Sequence, residues 1–162
     1  MKAIVVYYSL TGNVRWAAEQ VAAAIGADLL PLVPCKAYPD KGFRKFFWGG
    51  KSAVMGEVPR LEPYAFDGQA YDLVVLATPV WAGTFAPPLR TFVRENRDAL
   101  LGKSIAALAC FSGGGADKAL DKLSKELGAS LCASVVLTDP KDKPSEANDA
   151  LLADFCRLLE QK

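Results

Sequence analysis

Ser9, Thr11, Gly12 and Asn13 fall in one short stretch, Ser9-Leu10-Thr11-Gly12-Asn13-Val14, between an apolar run at 3–8 and a helical pattern beginning at Val14. Backbone N–H groups at a helix start have no intrahelical partner and sit at the positive end of the helix dipole. Such a set of donors suits a phosphate monoester. Ser9 and Thr11 add hydroxyl donors. Gly12 permits close approach or a positive φ, and Asn13 tolerates the same geometry. The same residues serve equally well as an ordinary strand-to-helix turn with a polar cap.

Two later stretches have compositions suited to a flat ligand. Thr78-Pro79-Val80-Trp81-Ala82-Gly83-Thr84-Phe85-Ala86-Pro87-Pro88 sets a tryptophan among small residues after an apolar run. An exposed indole there would stack on a heterocycle, with small neighbours letting backbone groups reach the polar edge of the ring. The alternative is that Trp81 covers the sheet end as core. Phe111-Ser112-Gly113-Gly114-Gly115-Ala116-Asp117 offers consecutive amides and little bulk, and by itself also reads as a flexible turn before a helix.

What is missing narrows the chemistry. The chain has no histidine, which removes Ser-His and Cys-His nucleophile pairs, imidazole metal ligands and an unperturbed proton shuttle near neutrality. Demanding chemistry is then expected from a cofactor. Cys35, Cys110, Cys132 and Cys156 form no Cys-x-x-Cys pair, and Cys110 and Cys132 lie in apolar runs that suit buried, reduced thiols. Acidic residues are scattered among lysines and arginines, as on solvated faces, rather than clustered for a metal. Lys plus Arg 19 against Asp plus Glu 18 argues against a general nucleic-acid binder. No apolar run is long enough to span a bilayer, and the start runs straight into core-like sequence, so a soluble cytoplasmic protein is expected.

The elements that would position these loops alternate strand and helix, the order of a parallel sheet covered on both faces. The 162 residues suffice for one domain, expected over 1–162 without linker or repeat. Strands are expected at 3–8, 29–33, 73–78, 105–110 and 131–137. Pro31 places the second at an edge, and the unbroken apolar 73–78 places the third at the centre. Val14, Ala17, Ala18, Val21, Ala22 and Ile25 form a helical stripe ended by Gly26. Pro87 and Pro88 open a helix, Gly128 closes another, and Leu151, Leu152, Phe155, Leu158 and Leu159 belong to the last. Five strands joined by right-handed crossovers give a doubly wound three-layer domain. Its ligand belongs beyond the strand carboxyl ends, at loops 9–14, 79–84 and 111–117.

These three loops, in this order and spacing, make the chain resemble the flavodoxin family over nearly its whole length, in the form without the long insertion in the fifth strand. The resemblance implies a flavodoxin-like three-layer α/β/α sandwich, with a five-stranded parallel sheet in the order 2-1-3-4-5. It also implies FMN as cofactor. Ser9, Leu10, Thr11, Gly12, Asn13 and Val14 would form the phosphate loop. Pro79, Val80, Trp81, Ala82, Gly83 and Thr84 would form the first ring loop, with Trp81 flanking the ring and Ala82 and Gly83 meeting its N5 edge. Phe111, Ser112, Gly113, Gly114 and Gly115 would form the second, along the pyrimidine side. In the family a backbone carbonyl of the first ring loop turns toward N5 when the flavin takes one electron, and small residues permit that turn.

Two positions depart from the pattern. Val14 stands where the family usually has a threonine hydroxyl, and a lost hydrogen bond to a charged group costs about 1.5–3 kcal/mol. Ala116-Asp117-Lys118 replaces the tyrosine that many flavodoxins stack on the outer ring face, leaving that face to a substrate, a partner, Phe111 or an aromatic from 34–70. Within 34–70, Gly50-Lys51-Ser52 mimics a P-loop end, but Lys45 occupies the position of the required glycine and no strand precedes it. Phe43, Phe46, Phe47 and Trp48 are expected first to pack a helix onto the sheet and second to form a lid over the flavin.

The implied function is that of an FMN-binding redox protein carrying electrons between partner proteins. The alternatives are an NAD(P)H-dependent FMN reductase of quinones or nitro compounds, to which the near-neutral charge inclines, and a flavin-free scaffold. No catalytic side chain, metal, nucleic acid or membrane span is expected, and the chain would act as a monomer or homodimer.

Overall fold

The structure is a computed structural model describing residues 1–162, except the side chains of Phe43, Phe46 and Phe47. The strands are β1 (Ala3–Tyr7), β2 (Asp28–Pro31), β3 (Leu73–Trp81), β4 (Thr84–Phe85), β5 (Ser104–Phe111) and β6 (Ala133–Thr138). The helices are α1 (Asn13–Ile25), α2 (Gly42–Val54), α3 (Pro87–Glu95), α4 (Arg97–Leu100), α5 (Ala116–Leu127) and α6 (Glu146–Glu160).

Parallel pairing runs β2-β1-β3-β5-β6. Counting parallel strands alone, this is the expected 2-1-3-4-5. Pro31 ends β2 at the sheet edge opposite Tyr7, where a missing N–H costs no ladder bond. β2 stops short of the expected Val33. Leu32 still donates to the Tyr7 carbonyl at 2.8 Å, and Pro34 then pairs with Leu61 instead. β6 starts two residues later than expected, although the Cys132 N–H already donates to the Ile105 carbonyl at 2.7 Å.

The central strand is buried on both faces. Leu73, Val75 and Ala77 pack with Val14, Ala17, Ala18 and Val21 of α1 and with Leu152, Phe155 and Leu159 of α6. Val74 and Leu76 pack with Leu89, Phe92 and Val93 of α3 and with Leu123 and Leu127 of α5. The helix limits follow the punctuation residues. Gly26 and Gly128 are left-handed C-caps, and Pro87 and Pro88 open α3. The apolar stripe of α6 is narrower than expected: Leu151 and Leu158 are exposed, and the inward face is completed by Cys156 and Asn148, whose side chain bonds both backbone groups of Thr138.

The largest departure lies after β3, which runs to Trp81 rather than stopping at Thr78. Val80 and Trp81 pair antiparallel with Phe85 and Thr84 around Ala82 and Gly83, whose φ values are 49° and 66°. Two consecutive positive φ angles are what a tight two-residue hairpin turn requires. The expected loop 79–84 is therefore a β-hairpin arm. Its base is tied by Thr78 Oγ1, which accepts from the Ala86 N–H and donates to the Pro79 carbonyl, both at 2.9 Å.

Candidate functional site

A cavity of ≈ 390 Å³ opens beyond the carboxyl ends of β1, β3, β5 and β6. Ser9, Leu10, Thr11, Asn13 and Val14 line one side. Pro79, Val80, Trp81 and Ala82 line a second, and Phe111, Ser112, Gly113 and Gly114 a third. The fold thus brings the three singled-out stretches to one space. Gly12, Gly83, Thr84 and Gly115 do not line it. Gly83 and Gly115 press the two later loops together, since a Cβ on Gly115 would stand 2.9 Å from Gly83 Cα. Thr84 is buried in the hairpin and its hydroxyl receives Lys122 Nζ at 2.7 Å.

The first loop is held from two directions. Gly12 takes the left-handed conformation at φ 99° and caps α1 through its backbone, with no side-chain cap. The Gly12 N–H donates to Ser9 Oγ at 3.2 Å, closing the loop on itself. The following helix-start amides have no intrahelical acceptor, as at any helix N-terminus. Asn13 is buried and turned toward the β6–α6 connection. Its Oδ1 accepts from the N–H groups of Lys141 at 2.9 Å and Asp142 at 3.2 Å, and its Nδ2 donates to Asp142 Oδ2 at 2.9 Å.

Trp81 is partly core and partly cavity wall. It packs edge-on against Tyr8 and Tyr38, with centroids 5.7 Å and 5.2 Å away, and also contributes to the cavity wall. Helix α2 closes over the hairpin tip through small residues: a Cβ on Gly49 would come within 3.3 Å of the Trp81 ring, and one on Gly50 within 3.6 Å of Ala82 Cβ. Gly50, Lys51 and Ser52 thus lie inside a helix, not in a phosphate-cradling loop. Trp48 departs from the expectation of packing onto the sheet: it is exposed, with Lys51 Nζ 5.3 Å from its ring centroid. The same expectation for Phe43, Phe46 and Phe47 lies outside the described residues.

Four cavity residues were not among the sequence candidates: Lys45, Gly50, Cys110 and Asp139. Asp139 adopts φ 41°, an uncommon conformation for a non-glycine residue. Burial by itself would raise its carboxyl. Hydrogen bonds from Ser112 Oγ at 2.6 Å and Lys143 Nζ at 3.0 Å, with the charges of Lys143 and Lys45, more than offset this and hold it below the usual carboxylate range. The β6–α6 connection, Asp139-Pro140-Lys141-Asp142-Lys143-Pro144-Ser145, has ordinary turn composition, so its place at the site was not signalled. Burial, then the charge of Asp139, pushes the Cys110 thiol up to about 12, leaving it neutral and unreactive, whereas Cys35 is exposed. A second open groove of ≈ 410 Å³ shares Ser9 and Leu10 with the cavity and continues past Tyr8, Tyr38 and Asp40.

A doubly wound sheet with a glycine-turned loop entering α1, and two further loops converging on the same crevice, defines an α/β protein with its ligand site at the topological switch point. The family model described as flavodoxin matches residues 2–143, and the chain belongs to that family. No curated protein sequence matches the chain. Among solved structures, a flavoprotein in complex with FMN from Lactobacillus acidophilus NCFM is similar at 18% identity and TM-score 0.73, covering 87% of this chain and 95% of that one. A protein from Bacteroides eggerthii DSM 20697 is similar at 22% identity and TM-score 0.74, covering 95% and 97%. Oxidised flavodoxin 1 from Bacillus cereus is similar at 16% identity and TM-score 0.58, covering 100% and 99%. At these identities the likeness is one of fold. No helix among the described residues is long and apolar enough to cross a membrane.

Proposed function

We propose that the chain binds FMN in this cavity and carries electrons between redox partners. The observation that carries the reading is the convergence of three chemically different loops on one space. The start of α1 offers N–H groups for a phosphate, the hairpin offers Trp81 beside Ala82, and Ser112, Gly113 and Gly114 form a wall almost without side chains. A Cβ on Gly113 or Gly114 would meet nothing within 4 Å, so that wall leaves room for a planar ring. The residues therefore fit the group. Bound there, FMN would supply the redox chemistry.

Ser9, Thr11 and the amides of Asn13 and Val14 would hold the phosphate, the Gly12 N–H being engaged by Ser9 Oγ, and Val14 would contribute nothing through its side chain. Trp81, fixed by Tyr8, Tyr38 and Gly49, would flank the ring without reorienting. Ala82 would present backbone groups to the N5 edge, while Phe111 and the 112–114 segment would meet the pyrimidine side. No side chain need act as acid or base, which agrees with the absence of histidine.

A reductase reading draws on a different observation: the open 112–114 wall, with no tyrosine following it, and the adjoining second groove leave space for a second small molecule beside the flavin. Titration with FMN and riboflavin, followed by flavin fluorescence, tests binding. Tight uptake of FMN and weak uptake of riboflavin supports the assignment, whereas no uptake at micromolar FMN overturns both redox readings and leaves a flavin-free scaffold. For the loaded protein, steady-state NAD(P)H oxidation with a quinone separates the reductase from the carrier.

A further inference from the structure

Lys141 lies 127 residues beyond Val14 in sequence order yet covers the loop that Val14 closes. Asn13 Oδ1 accepts the Lys141 N–H at 2.9 Å, which pins the backbone of the β6–α6 connection to the phosphate loop. From there the lysine side chain runs along Gly12. A Cβ on Gly12 would stand 3.2 Å from Lys141 Nζ and 3.4 Å from its Cδ. We propose that Lys141 is the cation of the phosphate subsite, neutralising a bound phosphate monoester and setting the preference for FMN over riboflavin. The proposal rests on the FMN reading of the cavity.

The neighbouring charges are arranged so that this ammonium has capacity for a further anion. Asp139 is paired with Lys143 at 3.0 Å. Asp142 already accepts from Asn13 Nδ2, and its other oxygen is 3.7 Å from Lys141 Nζ in a half-exposed pair, a geometry that contributes little. An ammonium carries three donors, so a contact with Asp142 leaves others for a phosphate oxygen. Lys45, which lines the cavity where Lys141 only borders its loop, adds positive potential. The loop itself is short of donors, because Val14 has no hydroxyl and the Gly12 N–H is taken up by Ser9 Oγ. A charged donor reaching over Gly12 supplies what the loop lacks.

FMN and riboflavin are titrated against the full chain, Lys141→Met and Lys141→Arg, at low and raised NaCl. Lys141→Met is expected to weaken FMN about three- to tenfold, to leave riboflavin unchanged, and to flatten the salt dependence of FMN binding. Lys141→Arg is expected to stay within about twofold of the parent, since the charge is kept. Equal losses for both flavins, or no change for either in Lys141→Met, overturn the proposal while FMN binding by the parent still stands. A parent chain that binds neither flavin overturns the FMN reading and the proposal with it. Thermal melting of Lys141→Met should match the parent, because the side chain is half exposed.

Discussion

Val14 faces two environments, since it is packed in the α1 core with Ala17 and Ala18 and also lines the cavity. Val14→Thr therefore has opposite expected effects in two measurements. In the flavin-free protein the new hydroxyl sits in an apolar site, lowering stability by about 1–2 kcal/mol in a melting experiment. With FMN present the same hydroxyl meets the phosphate and tightens binding about tenfold; weaker binding in the titration would show that position 14 does not reach it. Asp139 makes a pH prediction. Its carboxyl is held below the usual range, so its contribution to stability is full above the unfolded-state pKa and is lost as pH falls through the folded-state value. Asn tolerates the positive φ, so Asp139→Asn isolates the charge. The urea midpoints of parent and variant should differ at neutral pH and converge below about pH 4; a gap independent of pH would mean that the carboxylate charge contributes nothing. The loop entering α1 was legible as part of the cavity because its hydroxyls, glycine and helix start are contiguous. Asp139 and Lys141 were not, because an ordinary turn becomes part of the site only when Asn13 and Ser112 reach it across the sheet end.

Strands and helices were legible where burial on both faces or an unambiguous stop residue dictated them, as in β3 and at Gly26. The hairpin was missed because Trp81-Ala82-Gly83-Thr84 lacks the Asn-Gly or Asp-Gly pair that ordinarily announces a tight turn, and Ala82 at φ 49° is held there by its surroundings. The consequence is a direct contact between the hairpin and the loop after β5, at Gly83 and Gly115. Gly115→Ala would add a Cβ 2.9 Å from Gly83 Cα at a residue with φ 84°, and should cost about 2–4 kcal/mol while also weakening FMN binding. Gly113→Ala is the contrast. Its Cβ meets no neighbour within 4 Å, so stability should change by less than about 1 kcal/mol. It would nonetheless enter the space assigned to the ring and weaken FMN. Melting curves and FMN titrations of both variants check this, and equal effects on stability would contradict the loop contact.

At the scale of the whole molecule, a net charge of +1 conceals an uneven distribution. Lys36, Lys41, Arg44, Lys45, Lys51 and Arg60 stand against only Asp40 and Glu57 in the segment 34–60, which contains α2 and supplies Lys45 and Gly50 to the cavity wall. Glu146, Asp149, Asp154 and Glu160 against Arg157 make α6 correspondingly acidic. Low net charge therefore does not mean weak steering: α2 forms part of the cavity wall, so a small reactant at the cavity lies within about a Debye length of its cations. With the FMN-loaded, reduced protein, oxidation by an anionic one-electron acceptor such as ferricyanide should slow about two- to fivefold as salt rises from low to several hundred millimolar, whereas a cationic hexaammine complex should show no slowing. Arg44→Glu with Lys51→Glu should shrink the first effect, as both side chains are exposed and neither lines the cavity. Identical salt dependence for the two acceptors would show that the field at the cavity mouth follows the net charge, and would remove α2 from any role in selecting what reaches the flavin.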